Sequence, residues 1–447
     1  MRPAMSTRQT FVTSRLLDFF SEKELVAQIG HNTVDWPLVA MKELIDNALD
    51  ACEEAGAAPE ITISVAEDHL AVQDNGPGLP AALVARILDY AVRVSSREAY
   101  CEPARGAQGN ALKTLVAMPF VLSGNDQGHL TLRTGDVEHD ITVRVDRIRQ
   151  IPVIQHQTTA VPQVQTGTFV QIHWPRSARS LLGDFTRMYQ LALTFVCLNP
   201  HLTLTLRHFA QEEDCCWPAI DPAWGKWTAQ EPHVPHWYTS ERFERLVAAY
   251  LAQDEETGKH RLISDFIAEF RGFARSSARK PILDALGVDR KPLTIFANSD
   301  GVDRRQTDAL LKHLQVQSRP SDPNKMGLLG KDRIRQRFAQ SGYHLETFKY
   351  QRLIGNDRQG LPRIFETAFA YHPDRDRRLL LTGINWSAAL LNPFRQMGGY
   401  TGLDSHLQDF RAGEREPIAL LIHLAGPGIQ YTDRGKSAVV IDSGYSS

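Results

Sequence analysis

An α+β fold in three parts is predicted, and three observations predict it. From residue 30 to about 206, short alternating strand patterns interleave with amphipathic helix patterns. Residues 217–237 then hold four prolines and four tryptophans, a composition that punctuates a chain rather than building a regular element. Beyond it, residues 240–290 read as helix throughout, and 291–447 return to alternating helices and strands. The expected division is a first domain over 1–225, a small helical domain over 226–290 and a second α/β unit over 291–447. Helices on one face of a mixed, mostly antiparallel sheet make the first an α+β sandwich. At 447 residues, each part is long enough for its own core.

The elements follow in order. Residues 10–30 carry a short helical pattern, with Ser21 and Glu24 spaced as a capping box. A helix is expected from about Trp36 to Ala55, with Leu38, Met41, Leu44, Ile45, Ala48 and Leu49 turned inward. Glu60-Ile-Thr-Ile-Ser-Val and Leu70-Ala-Val-Gln alternate as strands. Pro80 to about Ser123 is helical around an irregular insertion, Ser95 to Gly109. Strands Leu130–Arg133, Ile141–Val145 and Thr168–His173 precede a helix from Ser180 to Cys197 and a strand at Leu202–Leu206. Helical patterns at Phe243–Tyr250, His260–Phe270 and Ala278–Leu286 fill the middle. The last unit has a helix at Thr307–Val316 and strands at Phe365–Tyr371, Leu379–Gly383 and Ile418–Leu424.

Composition excludes several classes. Five cysteines with no C-x-x-C spacing suggest neither a zinc site nor a disulfide framework, and 16 histidines lack paired-ligand spacing. No apolar run is long enough to span a membrane and no signal-peptide pattern opens the chain, so a cytoplasmic protein is expected. A net charge of −2 makes no whole-protein case for nucleic acid. Locally, though, residues 271–340 hold 15 Lys/Arg against 7 Asp/Glu, with Arg271, Arg275, Arg279 and Lys280 in one stretch and Lys331, Arg333, Arg335 and Arg337 in another. That excess favours contact with a phosphate backbone. The tryptophans of 217–237 are expected at a domain interface.

The chemistry concentrates in three places. Glu43 and Asn47 are one helical turn apart, so a carboxylate and a carboxamide project side by side. Glu43 suits the orientation and deprotonation of a water; Asn47 offers a neutral oxygen to Mg²⁺, the one metal-ligand role assigned. Asp74-Asn-Gly76-Pro-Gly78 ends a strand in a loop where glycines allow close approach, and a buried Asp74 could accept from an adenine amino group. Arg105-Gly106-Ala-Gln108-Gly109-Asn110-Ala-Leu-Lys113 runs into a helix N-terminus, whose free amides favour phosphate, with Lys113 as an added charge. The segment before it, containing Ser95 and Ser96, is polar and irregular, as a closing lid must be. Asp46 and Asp50 share the helix, and Asp50 is a candidate for orienting the site.

Acid, amide, then D-x-G-x-G is the arrangement of the GHKL ATPases, and the chain resembles the B subunit of the type IIB topoisomerases (topoisomerase VI). The likeness rests on Glu43-Leu-Ile-Asp-Asn-Ala-Leu-Asp-Ala51, the Ser95-Ser96 pair, Arg105-Gly106-x-Gln108-Gly109 and the Pro-His run at 232–236. It continues in Leu262–Phe270, in Asp322–Gly330, Gly360–Tyr371 and Asn392-Pro-Phe, and in Ile422–Lys436. The resemblance implies a GHKL (Bergerat-type) sandwich, a helix-two-turns-helix insert and a ribosomal-protein-like α/β transducer. It also implies ATP and Mg²⁺ as ligands, an ATP-dependent homodimer closing on duplex DNA, and a separate A-like (Spo-eleven-like) cleavage subunit. Lys436 matches the transducer lysine that reaches the γ-phosphate in that family. Two departures stand out. Asn110 and Lys113 are similar to the phosphate loop of the MORC ATPases, and only 11 residues follow Lys436 where the family continues into a docking helix. The second departure leaves open a stand-alone ATP-gated DNA clamp or chromosome-structuring or defence ATPase without a cleavage subunit.

Overall fold

The structure, a computed structural model, describes residues 15–90, 99–105, 111–124, 126–299, 301–396, 402–432 and 438–440, apart from the side chains of 15, 111 and 163–165. Ser95, Ser96, Gly106, Gln108, Gly109, Asn110 and Lys436 lie outside the described residues.

The first part contains α1 (Glu22–Ile29), α2 (Trp36–Glu54), β1 (Glu60–Val65), β2 (His69–Gln73), α3 (Ala81–Leu88), α4 (Ala111–Leu122), β3 (Gly128–Asp146), β4 (Ile151–His173), α5 (Phe185–Leu198), β5 (Thr203–His208) and β6 (Cys215–Trp217). The strands form one sheet in the order β3-β4-β2-β1-β5-β6, in which only β1 and β5 run parallel. Helix α2 packs on β2 and against both α4 and α5, so the three helices make one layer over the sheet. This is the mixed α/β sandwich expected.

Helices α6 (Ser240–Thr257), α7 (Ile263–Ala268) and α8 (Ser276–Leu286) follow, then the short pair β7 (Ala297–Asn298) and β8 (Gly301–Val302), α9 (Arg304–Gln317) and α10 (Lys331–Gln340). A second sheet is built from β9 (His344–Asn356), β10 (Pro362–Tyr371), β11 (Leu379–Ile384), β12 (Ser387–Ala388) and β13 (Ile418–Ala425), with α11 (Gly402–Asp409) between the last two. Its order is β12-β11-β13-β10-β9. Strands β11 and β12 pack against α5 of the first part, where a Cβ on Gly383 would lie 2.1 Å from Leu198 Cδ1. Among the described residues a large hydrophobic cluster therefore runs from Phe20 to Ala425 across both units, and a second, smaller cluster of Phe365, Ile384, Phe394, Leu403, Ile422 and Leu424 belongs to the second unit alone. The tryptophans Trp217, Trp224, Trp227 and Trp237 are buried in it, and Trp224 Nε1 donates to Leu328 O at 2.7 Å.

Three local expectations are corrected. Ser21 sits at the N-cap of α1 but its hydroxyl makes no capping bond. The helix expected from Ser180 starts at Phe185, because Asp184 accepts from Arg187 N and sets the boundary there. The strands expected at 130–133 and 141–145 are one strand, β3, bent by register shifts around Gly135. It pairs along its length with β4, which carries Pro152 and Pro162.

Pairing of β2, β4 and β3 lines up His69, His173 and His129 across three strands, with the His129 and His173 rings stacked at 4.1 Å. Burial, with the neighbouring His129 and His69 rings, pushes the His173 pKa down from 6.5 to about 4. Between those values the unfolded chain holds a proton that the folded chain refuses, so stability declines as pH falls through that window. Urea unfolding at pH 7 and pH 5 is expected to show this loss, and His173→Gln to reduce it; an unchanged difference would remove His173 as its source.

Candidate active site

Helix α2 forms where it does because its apolar face is fully taken up by the core. Leu38, Met41, Leu44, Ile45, Ala48 and Leu49 are buried, while Asn47 is exposed and Glu43 half-buried. Pro37 opens the helix in its first turn, where its missing N–H costs nothing. Trp36 Nε1 anchors that turn by donating to His31 O at 3.1 Å. Glu43, Asn47 and Ala51 thus fall on successive turns of one outward stripe.

The Asp74 loop is fixed against the end of that stripe. Asp74 is buried, and its Oδ1 accepts from Gly76 N at 2.8 Å and from Thr168 N at 3.1 Å. Both bonds use the same oxygen; Oδ2 accepts from no group among the described residues, which leaves it for a ligand. Burial raises the Asp74 pKa, and the two backbone N–H groups oppose the rise. Asn75 turns the other way, accepting from Glu60 N at 2.9 Å and donating to Ala58 O at 2.9 Å, so the loop is held from behind. A Cβ on Gly76 would lie 3.4 Å from Ala51 Cβ, which puts the loop directly on α2 one turn past Asn47.

Two more glycines shape the cradle. Gly78 (φ +81°) faces Thr134, whose Oγ1 accepts from Leu79 N at 2.8 Å. Gly167 (φ +90°) lies so close to the loop that a Cβ there would sit 1.9 Å from Asp74 O. Gly167 and Thr168 were not singled out from sequence; a Gly-Thr pair opening a strand pattern was the available signal. An uncharged amide, a carboxylate with one oxygen presented and a backbone with no Cβ in the way fit a purine and a magnesium triphosphate. The site's donor set is suited to that ligand, with Asn47 as the oxygen that would meet the ion.

The remaining candidates sit elsewhere. Arg105, expected at the phosphate loop, is buried with its guanidinium donating to Asp50 at 2.7 Å, to both oxygens of Glu53 at 2.7 and 2.6 Å, and to Asn199. It therefore ties the base of the 99–105 segment to the far half of α2. Lys113 is also buried; its Nζ donates to Asp89 O and lies 5.9 Å from the Tyr90 ring centroid. Burial lowers its pKa. Asp46, beside Glu43, is buried too, and burial raises its pKa against the pull of Lys42. Lys42 Nζ bridges Asp46 Oδ2 at 2.9 Å and Glu43 Oε1 at 3.1 Å. Ser387 of the second unit meets the same turn of α2, its Oγ donating to Asp46 Oδ2 at 2.7 Å. Thr432 N donates to Ala438 O at 3.0 Å and Tyr431 pairs with Val439, which brackets the segment holding Lys436.

Among the described residues no cluster of histidine, cysteine or carboxylate side chains is arranged to hold a metal by itself, and no helix is long and apolar enough to cross a membrane.

Comparison with known proteins identifies relatives of part of the chain. The profile of the histidine kinase-, DNA gyrase B- and HSP90-like ATPases matches residues 34–178. The B subunit of type 2 DNA topoisomerase 6 from Archaeoglobus fulgidus is 26% identical over 179 residues, which is 38% of this chain and 28% of that protein. Its counterpart from Halobacterium salinarum is 38% identical over 108 residues, 23% of this chain and 13% of that protein. The matches thus span less than a third of these relatives' length. The ATPase region of Saccharomyces cerevisiae topoisomerase II bound to dexrazoxane aligns with a TM-score of 0.40 at 10% identity, over 90% of this chain and 78% of that one. The chain therefore carries an ATPase domain of the histidine kinase, gyrase B and HSP90-like (GHKL) family, and over part of its length it is homologous to the B subunit of type 2 DNA topoisomerase 6.

Proposed function

We propose that this chain is the ATP-binding and ATP-hydrolysing subunit of a topoisomerase VI-like type IIB enzyme, dimerising on ATP as a gate around duplex DNA. One observation carries the reading: the Glu43–Asn47 stripe ends against the Asp74 loop, and the second α/β unit reaches the same turn of α2, where Ser387 donates to Asp46.

In this reading Asp74 Oδ2 accepts from the adenine amino group, a bond that the guanine oxygen cannot make. Gly76 and Gly78 let the base lie close to the backbone. Glu43 takes the proton of the attacking water as its oxygen bonds to the γ-phosphorus and the bridge to the β-phosphate breaks, releasing ADP. Asn47 would hold Mg²⁺, which when bound offsets the charge of the phosphates. Ser95, Ser96, Gly106, Gln108, Gly109 and Asn110 belong to the lid and phosphate loop, and Arg105 and Lys113 anchor the two ends of that stretch. Lys436 contacts the γ-phosphate and passes its loss to the transducer, residues 291–447. DNA meets the helical insert, where Arg271, Arg275 and Lys280 are exposed, as are Lys331 and Arg335 farther along. Arg337 is not part of that surface: it is buried, with its guanidinium on Pro218 O.

Relaxation of supercoiled plasmid by the chain plus an A-like subunit encoded in the same genome is the test. The expected result is relaxation that needs ATP and Mg²⁺, with Lys436→Ala closing on nucleotide while hydrolysing poorly. ATP-dependent dimerisation on DNA with no relaxation would favour the stand-alone clamp.

A further inference from the structure

The β11–β12 turn of the second unit is built in a way its own sheet does not require. Asn385 (φ 49°) and Trp386 (φ 63°) both take the left-handed conformation, which an aromatic residue seldom adopts unless its surroundings compel it. Here they do. Trp386 has no exposed surface; its Nε1 donates to Gly327 O at 3.0 Å, and its carbonyl accepts from Asn199 Nδ2 at 2.9 Å. Asn385 donates to Ala104 O at 3.2 Å and accepts from Gly426 N at 2.9 Å. The turn is thus clamped between α5, the base of the 99–105 segment and the end of β13. Its next residue, Ser387, is delivered to α2, where Oγ donates to Asp46 Oδ2 at 2.7 Å.

That oxygen is the one Lys42 also holds, and Lys42 is shared with Glu43. We infer that Ser387 is a positioning residue of the second unit, acting through Asp46 and Lys42 to set the placement and basicity of Glu43. The inference rests on Glu43 being the base. Its physical content is a competition between two carboxylates for one ammonium. With Ser387 in place, the Asp46 anion is stabilised and draws Lys42 away from Glu43. Without that bond Lys42 transfers its charge to Glu43, and a carboxylate so neutralised is a weaker base. Movement of the second unit thus changes the chemistry at Glu43 through side chains present in the described structure, apart from any contact made by Lys436. Among the described residues, other charged or titratable groups facing this trio include His31 ahead of α2, Arg105 with Nε 4.0 Å from Asp46 Oδ1, and Tyr431.

Steady-state ATP hydrolysis by the full chain, measured from pH 5 to 9 alongside binding of a non-hydrolysable ATP analogue, tests this. Ser387→Ala is expected to lower kcat by about three- to tenfold with little change in KM, and to move the acid limb of kcat to lower pH. Ser387→Thr, which keeps the hydroxyl, is expected to restore both. An unchanged kcat and pH profile in Ser387→Ala, with Glu43→Gln inactive, overturns the positioning role and leaves the base assignment intact. Loss of analogue binding in Ser387→Ala that Ser387→Thr does not restore also overturns it, because the contact is then structural. Full turnover in Glu43→Gln overturns the base assignment itself.

Discussion

Glu43→Gln is expected to bind ATP with near wild-type affinity and to lose hydrolysis by about 10²–10⁴-fold, the usual contribution of a positioned general base. The substitution preserves shape and hydrogen-bonding capacity, and it removes only the ability to accept a proton. Glu43 is half-buried on the outward stripe of α2, and the buried face that stabilises the helix is untouched. Lys42 loses its ion pair with Glu43 but keeps Asp46 at 2.9 Å, so the local charge balance survives. Single-turnover hydrolysis beside equilibrium binding of the nucleotide separates the two effects. Wild-type turnover would contradict the role, and lost binding would show that the side chain supports the pocket instead.

Arg105→Ala is expected to act on stability rather than on nucleotide affinity. Its side chain is fully buried and joins Asp50, Glu53 and Asn199, while Glu53 also holds Lys226 at 2.9 Å and His201 at 3.0 Å. Burial alone would raise the Glu53 pKa; Arg105 and Lys226 outweigh it and hold the carboxyl well below its usual range. Removing the guanidinium strands two buried or half-buried carboxylates, and breaking such a pair costs about 3–5 kcal/mol. Arg105→Lys should recover only part, because an ammonium cannot reproduce the fork that spans Glu53 and Asp50. Since Glu53 is held ionised by this pairing, the stabilisation is present at neutral pH and is lost as pH falls below the ordinary glutamate range. Urea unfolding at pH 7 measures the loss. Weakened ATP binding with unchanged stability would instead return Arg105 to the phosphate loop.

Periodicity made the site's scaffold legible. Leu38, Met41, Leu44 and Ile45 mark the buried face of α2 so clearly that the outward placement of Glu43 and Asn47 follows from spacing alone. The Asp74 loop was legible only in company, since Asp-x-Gly-x-Gly by itself reads as an ordinary turn and gains meaning from following the Glu43–Asn47 helix. Partner choice was hidden, since it depends on pairs distant in sequence. Nothing near Arg105 announces Asp50, Glu53 and Asn199, and nothing near Asp46 announces Ser387, 341 residues away. The buried Lys113 belongs to the same class: a lysine at a helix start reads as a phosphate ligand until Asp89 O and Tyr90 are seen beside it. Only the Thr168–His173 end of β4 was singled out, because the prolines at 152 and 162 argue against pairing farther back, although an edge ribbon tolerates them. The continuous core could not be foreseen either, as it depends on Gly383 allowing β11 to lie directly on Leu198.

The proposed function requires the α2 stripe and the Asp74 loop to hold a magnesium nucleotide between them. A crystal structure of the chain with a non-hydrolysable ATP analogue and Mg²⁺ tests this most directly. The expected result places the adenine amino group on Asp74 Oδ2, the ion on Asn47 Oδ1 and the γ-phosphate within reach of Glu43. A nucleotide bound elsewhere, or the base turned away from Asp74, would contradict it.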